Sequence, residues 1–178
     1  MGLFEARTRY MKVYKNFLKP EEMLTIKQFM ESADFPWYAS EILKAHEIAK
    51  GVPNMQFVHP FYNKFVAVSH YFEMLLPIIN KLKIFSLLRV KSNLTVRTST
   101  HVEHGMHVDF VNNNCKIKTG IFYVNSNDGY SKFENGEKIQ SIENQYVEFD
   151  SHIKHTGSSS TDHDRRMVIN FNYIKDEV

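Results

Sequence analysis

The chain has 178 residues, with 22 Lys+Arg against 20 Asp+Glu for a formal net charge of +2, and is 43% hydrophobic and 13% aromatic. At roughly 100–200 residues per domain this is one domain, 1–178, long enough to bury a core without covalent staples. No block of like charges occurs, so nucleic acid held mainly through phosphate charge is not expected. Nor is there an apolar run of about 18 residues, so no membrane partner is expected. The single cysteine, Cys115, cannot form an internal disulfide. Together with the absence of an apolar signal core or an N-myristoylation motif in Met1–Arg7, it points to a reducing, cytoplasmic setting.

In chain order, Arg9–Phe17 alternates like a strand, and Lys19-Pro20-Glu21-Glu22 opens a helix running to about Ser32, with Pro in the first turn and acids at the positive end of the dipole. Its stripe of Met23, Leu24, Ile26, Phe29 and Met30 suits packing against a sheet. Residues 34–60 read as an irregular surface segment with a short helical stretch at Glu41–Lys50 and a break at Gly51-Val52-Pro53-Asn54. The aromatic group Trp37, Tyr38, Phe57, His59 and Tyr62 is expected in the core. Val68–Lys83 carries Phe72, Leu75, Leu76, Ile79 and Leu82 at helical spacing, kinked or restarted at Pro77. After Lys83 the pattern turns to β, over Ile84–Thr100, His104–Phe110, Cys115–Asn125, Gln145–Asp150 and Arg165–Ile174. Helices first and strands after predict a mainly β fold, a barrel or sandwich braced by N-terminal helices. In that layout 1–84 is support and rim, and 85–178 is the core.

Nine histidines are present, and six of them lie at or beyond His101. His107-Val108-Asp109 sets an imidazole and a carboxylate two residues apart, which on an extended chain point to one side. His155 follows just beyond the apolar strand Gln145–Asp150, with His152 as its rival. If the two segments are neighbours, His107, Asp109 and His155 cap one face of a metal ion and leave the other face open. That is the two-histidine, one-carboxylate arrangement of non-haem Fe(II) oxygenases. The last strand carries Arg165 and Arg166, whose side chains point to opposite faces. An arginine inside a barrel needs an anion, and one carboxylate of a dicarboxylate cosubstrate supplies it. Burial logic alone does not choose between the two arginines.

Five segments together resemble one family. His104-Gly105-Met106-His107-Val108-Asp109, Thr119-Gly120-Ile121-Phe122-Tyr123-Val124-Asn125, Asn127-Asp128-Gly129-Tyr130-Ser131-Lys132-Phe133, Phe149-Asp150-Ser151 with His155-Thr156-Gly157, and Arg166-Met167-Val168-Ile169-Asn170-Phe171 match it in order and approximate spacing. The stretch from about Leu87 to Tyr173 resembles the catalytic core of the 2-oxoglutarate- and Fe(II)-dependent dioxygenases, prolyl 4-hydroxylase-like branch. That resemblance implies a double-stranded β-helix, or jelly roll. It also implies Fe(II) on His107, Asp109 and His155, and 2-oxoglutarate on Arg166 with the Tyr123 hydroxyl beside it. Thr119, on the face of Tyr123, is expected to line the same pocket. The implied activity is a hydroxylase of an unactivated C–H bond that consumes O2 and decarboxylates 2-oxoglutarate to succinate and CO2, with ascorbate as a possible reductant. The expected substrate is a prolyl or other residue in a peptide. Alternatives are the same chemistry on a free amino acid or small molecule, a catalytically silent jelly-roll binding module, and metal-assisted hydrolysis, which gives the arginine no role.

Overall fold

The computed structural model describes residues 4–7, 11–43, 54–110 and 116–175. Cys115, the break at 51–53 and most of the helical stretch expected up to Lys50 lie outside the described residues. The strands are β1 (Phe4–Arg7), β2 (Met11–Lys15), β3 (Tyr38–Glu41), β4 (Met55–Asn63), β5 (Val66–Ala67), β6 (Ile84–Val96), β7 (Ile117–Tyr123), β8 (Tyr130–Phe133), β9 (Lys138–Gln140), β10 (Gln145–Asp150), β11 (His155–Gly157) and β12 (Arg165–Lys175). The α-helices are α1 (Pro20–Glu31) and α2 (Leu76–Lys81). The large antiparallel sheet has the order β1-β2-β10-β7-β12-β6-β4-β3, with β5 beside β4; the small one has the order β11-β8-β9. Isolated bridges from Glu103 to Ser158 and from His107 to His155 extend the small sheet. This is the jelly roll with few helices.

Strand alternation divides two compartments. On β12, Met167, Ile169, Phe171 and Tyr173 join Val90 and Leu94 of β6 and Phe122 of β7 in a core covered by Met23, Ile26 and Met30 of α1 and Ile78 of α2. The opposite parity turns Arg166, Val168 and Asn170 of β12 and Lys91, Asn93 and Thr95 of β6 to the space between the sheets. A second cluster of Val13, Ile121, Tyr123, Phe133, Val147 and Phe149 fills one end of that space.

One helix restarts where expected, and three features differ from the sequence expectations. Val68–Lys83 restarts at Pro77 as expected: a 3-10 turn at Phe72–Leu75 leads into α2, and Pro77 sits in the first turn of α2, where its missing N–H costs nothing. The segment 34–60 supplies β3 and β4, so the N-terminal part adds sheet as well as helix, and Glu41 closes a strand instead of opening a helix. Pro60 obscures β4 in the sequence; it lies where the β4–β6 register shifts, a place that tolerates a residue without a ladder N–H. His104–Phe110 is not a continuous strand, because Gly105 at φ 103° breaks the ladder and leaves single bridges on either side.

Asn144 ties the entry of α1 to the turn before β10. Its Oδ1 accepts from the Leu18 N–H at 2.7 Å, and its Nδ2 donates to the Leu18 carbonyl at 2.9 Å. Its backbone sits at φ 61°, which Asn tolerates and Ala resists. Asn144→Ala is expected to lower the unfolding free energy by about 2–4 kcal/mol, through two buried hydrogen bonds and left-handed strain. A urea titration that places the loss below about 1 kcal/mol contradicts this account.

Candidate metal centre and anion pocket

His107 and His155, far apart in sequence, exchange both backbone hydrogen bonds at 3.0 Å, which sets their imidazoles side by side, tilted at 46° with ring centroids 4.7 Å apart. Asp109, two residues on, makes its own backbone link through its N–H to the Ser151 carbonyl at 3.3 Å. One ligand atom from each of His107, Asp109 and His155 then lies within 4.8 Å of the others. His155 Nδ1 donates to the Ile153 carbonyl at 3.1 Å, which leaves the Nε2 lone pair free and aimed at Asp109, 3.9 Å from Oδ2. His107 Nδ1 lies 3.4 Å from the Gly105 carbonyl, which orients the second ring in the same sense. Phe149 and Phe133 press their rings on His155 from the core side.

The carboxylate of Asp109 is held on both oxygens. Arg89 donates to Oδ1 at 2.9 Å; the Thr119 hydroxyl at 2.9 Å and Asn172 Nδ2 at 3.1 Å donate to Oδ2. Arg89 Nε donates in turn to Asn172 Oδ1 at 2.9 Å, which closes the network. Burial pushes the Asp109 pKa up, but the neighbouring His155, Arg89 and Asn172 outweigh it and hold the group below the ordinary carboxylate value. Burial lowers His155, against the pull of Asp109, so its imidazole is neutral and able to ligate. Two of these assignments depart from the sequence expectations. Thr119 does not line the pocket beside Arg166: it is fully buried, and its hydroxyl is spent on Asp109. Arg89 and Asn172 were not anticipated as partners of Asp109. The signal available for them was the polar residue at alternate positions of two otherwise apolar strands.

The adjacent arginines separate cleanly. Arg165 is exposed, whereas Arg166 is 5% exposed and faces the space between the sheets. Arg166 Nε donates to Ser141 Oγ at 2.7 Å and its terminal nitrogen to Ser131 Oγ at 3.2 Å. The Tyr123 hydroxyl donates to the same Ser131 oxygen at 2.9 Å, and the guanidinium carbon lies 5.8 Å from the Tyr123 ring centre. Burial lowers the Arg166 pKa and raises that of Tyr123. Among the described residues no carboxylate pairs with Arg166, and only Tyr123 offsets its burial. A guanidinium out of water without a counter-charge is costly, so the site is built for an anion.

One cavity of about 650 Å³, open solvent included, joins the two features, with His107, Asp109, His155 and Arg166 all on its wall. His104 is buried at its edge, while His152 and His163 are exposed elsewhere, so His155 and not His152 meets His107.

No protein-family model and no curated protein matches the sequence. Solved structures do match in shape. A prolyl-4-hydroxylase of Pseudomonas putida superposes with TM-score 0.62 over 95% of this chain and 94% of its own, at 8% identity. A prolyl hydroxylase of Trichoplax adhaerens, in complex with a hypoxia inducible factor peptide fragment, gives 0.58 over 94% and 84%, at 14% identity. HygX of Streptomyces hygroscopicus, with nickel and 2-oxoglutarate bound, gives 0.59 over 97% and 89%, at 11% identity. The fold is that of the 2-oxoglutarate- and Fe(II)-dependent oxygenases.

Gly129 shows how tightly Arg166 is housed. A Cβ there meets Arg166 Cδ at 2.7 Å, Asn127 Oδ1 at 2.8 Å and the Ser159 carbonyl at 3.1 Å. With the guanidinium pinned by two serines, the chain has no room to give. Gly129→Ala is expected to destabilise the protein by about 1–3 kcal/mol. An unchanged denaturation midpoint would show that Arg166 is free to move.

Proposed function

We propose that the chain is a 2-oxoglutarate- and Fe(II)-dependent dioxygenase, a hydroxylase in which His107, Asp109 and His155 hold the metal and Arg166 anchors the far carboxylate of 2-oxoglutarate. The observation that carries this reading is a buried Arg166, with no carboxylate partner among the described residues, on the same cavity wall as an open N2O donor set. Two imidazoles and one carboxylate suit Fe(II) and leave coordination positions for a chelating cosubstrate and O2. Bound there, the metal supplies the redox chemistry that couples decarboxylation of 2-oxoglutarate to oxidation of a C–H bond.

The chain's own residues do the positioning. Ile153 fixes the His155 tautomer through its carbonyl, and Arg89, Thr119 and Asn172 fix the rotamer of Asp109. Ser131 and Ser141 hold the guanidinium so that its remaining N–H groups face the cavity, and Tyr123 props Ser131 from behind. A silent binding module has no use for this expensive cation beside a ready-made ligand set, and metal-assisted hydrolysis leaves Arg166 without a partner. For the substrate, the Trichoplax neighbour with its peptide supports a prolyl or other residue in a peptide. The polar cavity wall favours a second reading, a free amino acid or other small molecule.

Purified protein supplied with Fe(II), ascorbate, O2 and 2-oxoglutarate is expected to release succinate and CO2 slowly without substrate, and His107→Ala to release none. Equal rates in the two would end the metal assignment. Arg166→Ala is expected to raise the 2-oxoglutarate requirement by about tenfold or more, the loss of a charge-assisted contact, while Arg165→Ala leaves it unchanged. The opposite ranking would move the cosubstrate site. Thr119→Val is expected to weaken metal binding about 10–100-fold without altering the 2-oxoglutarate requirement, as measured by metal titration. Retained metal affinity would make Thr119 packing alone.

A further inference from the structure

The cavity holds a second cation that the proposed reaction does not use. Lys91 of β6 is partly buried on its wall and, among the described residues, neither donates a hydrogen bond nor forms an ion pair; burial, together with the nearby Arg89 charge, lowers its pKa against the weaker pull of Asp109. Three buried polar atoms on the same cavity wall also lack partners among the described residues: Asn93 Oδ1 and Thr95 Oγ1 on the same face of β6, and Asn170 Oδ1 on β12. In the ladder, Asn170 stands opposite Lys91, and Thr95 opposite Arg166. The sheet order β7-β12-β6-β4 puts the β6 members of this group, Lys91, Asn93 and Thr95, on the opposite side of β12 from Tyr123, whose hydroxyl supports the seat of Arg166. Lys91 itself stands four residues along β6 from Thr95, the partner of Arg166, so the cation is set away from the Arg166 seat along the strand. Counting charges gives the same answer. A divalent metal cancels a dicarboxylate, Arg89 cancels Asp109, and the wall cations Lys91 and Arg166 remain in excess. Buried polar groups without partners, next to an uncompensated cation, describe a site built for a polar, anionic ligand.

We propose that Lys91, with Asn93, Thr95 and Asn170, forms the subsite that receives a carboxylate of the primary substrate. The proposal rests on the dioxygenase reading and narrows its substrate class. The carboxylate accepts from the Lys91 ammonium and the Thr95 hydroxyl, and the two asparagine amides take up an N–H or O–H donor next to it. An α-carboxylate of a small molecule and an acidic side chain of a peptide share this chemistry.

The test uses protein loaded with Ni(II) and saturated with 2-oxoglutarate. Binding is read by ligand-observed NMR for N-acetyl amino acids, each as the free acid and as its carboxamide; the carboxamides of aspartate and glutamate keep only a side-chain carboxylate. Calorimetry of 2-oxoglutarate on wild type and Arg166→Ala comes first, and a cosubstrate that binds without regard to Arg166 defeats the dioxygenase reading whatever Lys91 does. The expected result is that the best acid binds about tenfold to a hundredfold more tightly than its own neutral amide. Lys91→Met is expected to erase the difference and Lys91→Arg to keep it, with 2-oxoglutarate affinity unchanged in both. Preference for α-carboxylates marks a small-molecule site, and preference for the acidic carboxamides marks a peptide side chain. A panel in which no acid outbinds its amide, or a difference that survives Lys91→Met, overturns the proposal. So does a tenfold loss of 2-oxoglutarate affinity in Lys91→Met, which would give Lys91 to the cosubstrate.

Discussion

The two backbone hydrogen bonds between His107 and His155 are the constraint on which the site depends. They join a segment with almost no regular structure of its own to the short strand β11, and the ladder from β11 to β8 then anchors both to the small sheet. Without that bridge the imidazoles have no fixed separation. With it, contact between the two tilted rings, the Nδ1 hydrogen bond of His155 and the aromatic backing of Phe149 and Phe133 leave one orientation open to each side chain. The ligand geometry is thus set by main-chain pairing first and by side-chain packing second, which is the order that gives precision.

Electrostatics complete what the backbone begins. Asp109 enters the interior with its charge already answered by Arg89 and its oxygens already fixed by Thr119 and Asn172, so it keeps its place whether or not a cation sits before it. Arg166 is the reverse case: it is held in place only by neutral hydroxyls, so its charge is left for a ligand. One cavity thus contains an anion that needs little and a cation that needs much. That asymmetry distinguishes a binding site from an ordinary buried ion pair, where the two would have neutralised each other.

Much of this was legible in the residues. The strands β10 and β12 stand where alternation puts them, α1 starts at its proline, and His107, Asp109 and His155 stand out as the residues able to meet. What failed to show has definite physical causes. β4 interrupts its apolar Phe57, Phe61 and Tyr62 with buried Gln56 and His59 and with Pro60, so part of its burial is satisfied by side-chain hydrogen bonds such as that of His59 with the Pro36 carbonyl, which apolar alternation does not reveal. The choice between Arg165 and Arg166 needed parity, which sequence gives only up to a reflection. Thr119 was placed on the right face but given the wrong neighbour, because a face contains more than one destination and only the partner strand decides between them.

The alternation along β6 and β12 reaches beyond this site. Each strand serves two masters, with Val90, Leu94, Met167, Ile169 and Phe171 in the core and Lys91, Asn93, Thr95, Arg166 and Asn170 on the cavity. Adding or deleting one residue within either would trade the two rosters wholesale, while replacing residues one at a time disturbs only one side. Length is therefore frozen where identity is free. That gives a mechanical reason why a shape can be shared across 95% of the chain at 8% identity: such strands tolerate a change of letters far better than a change of count.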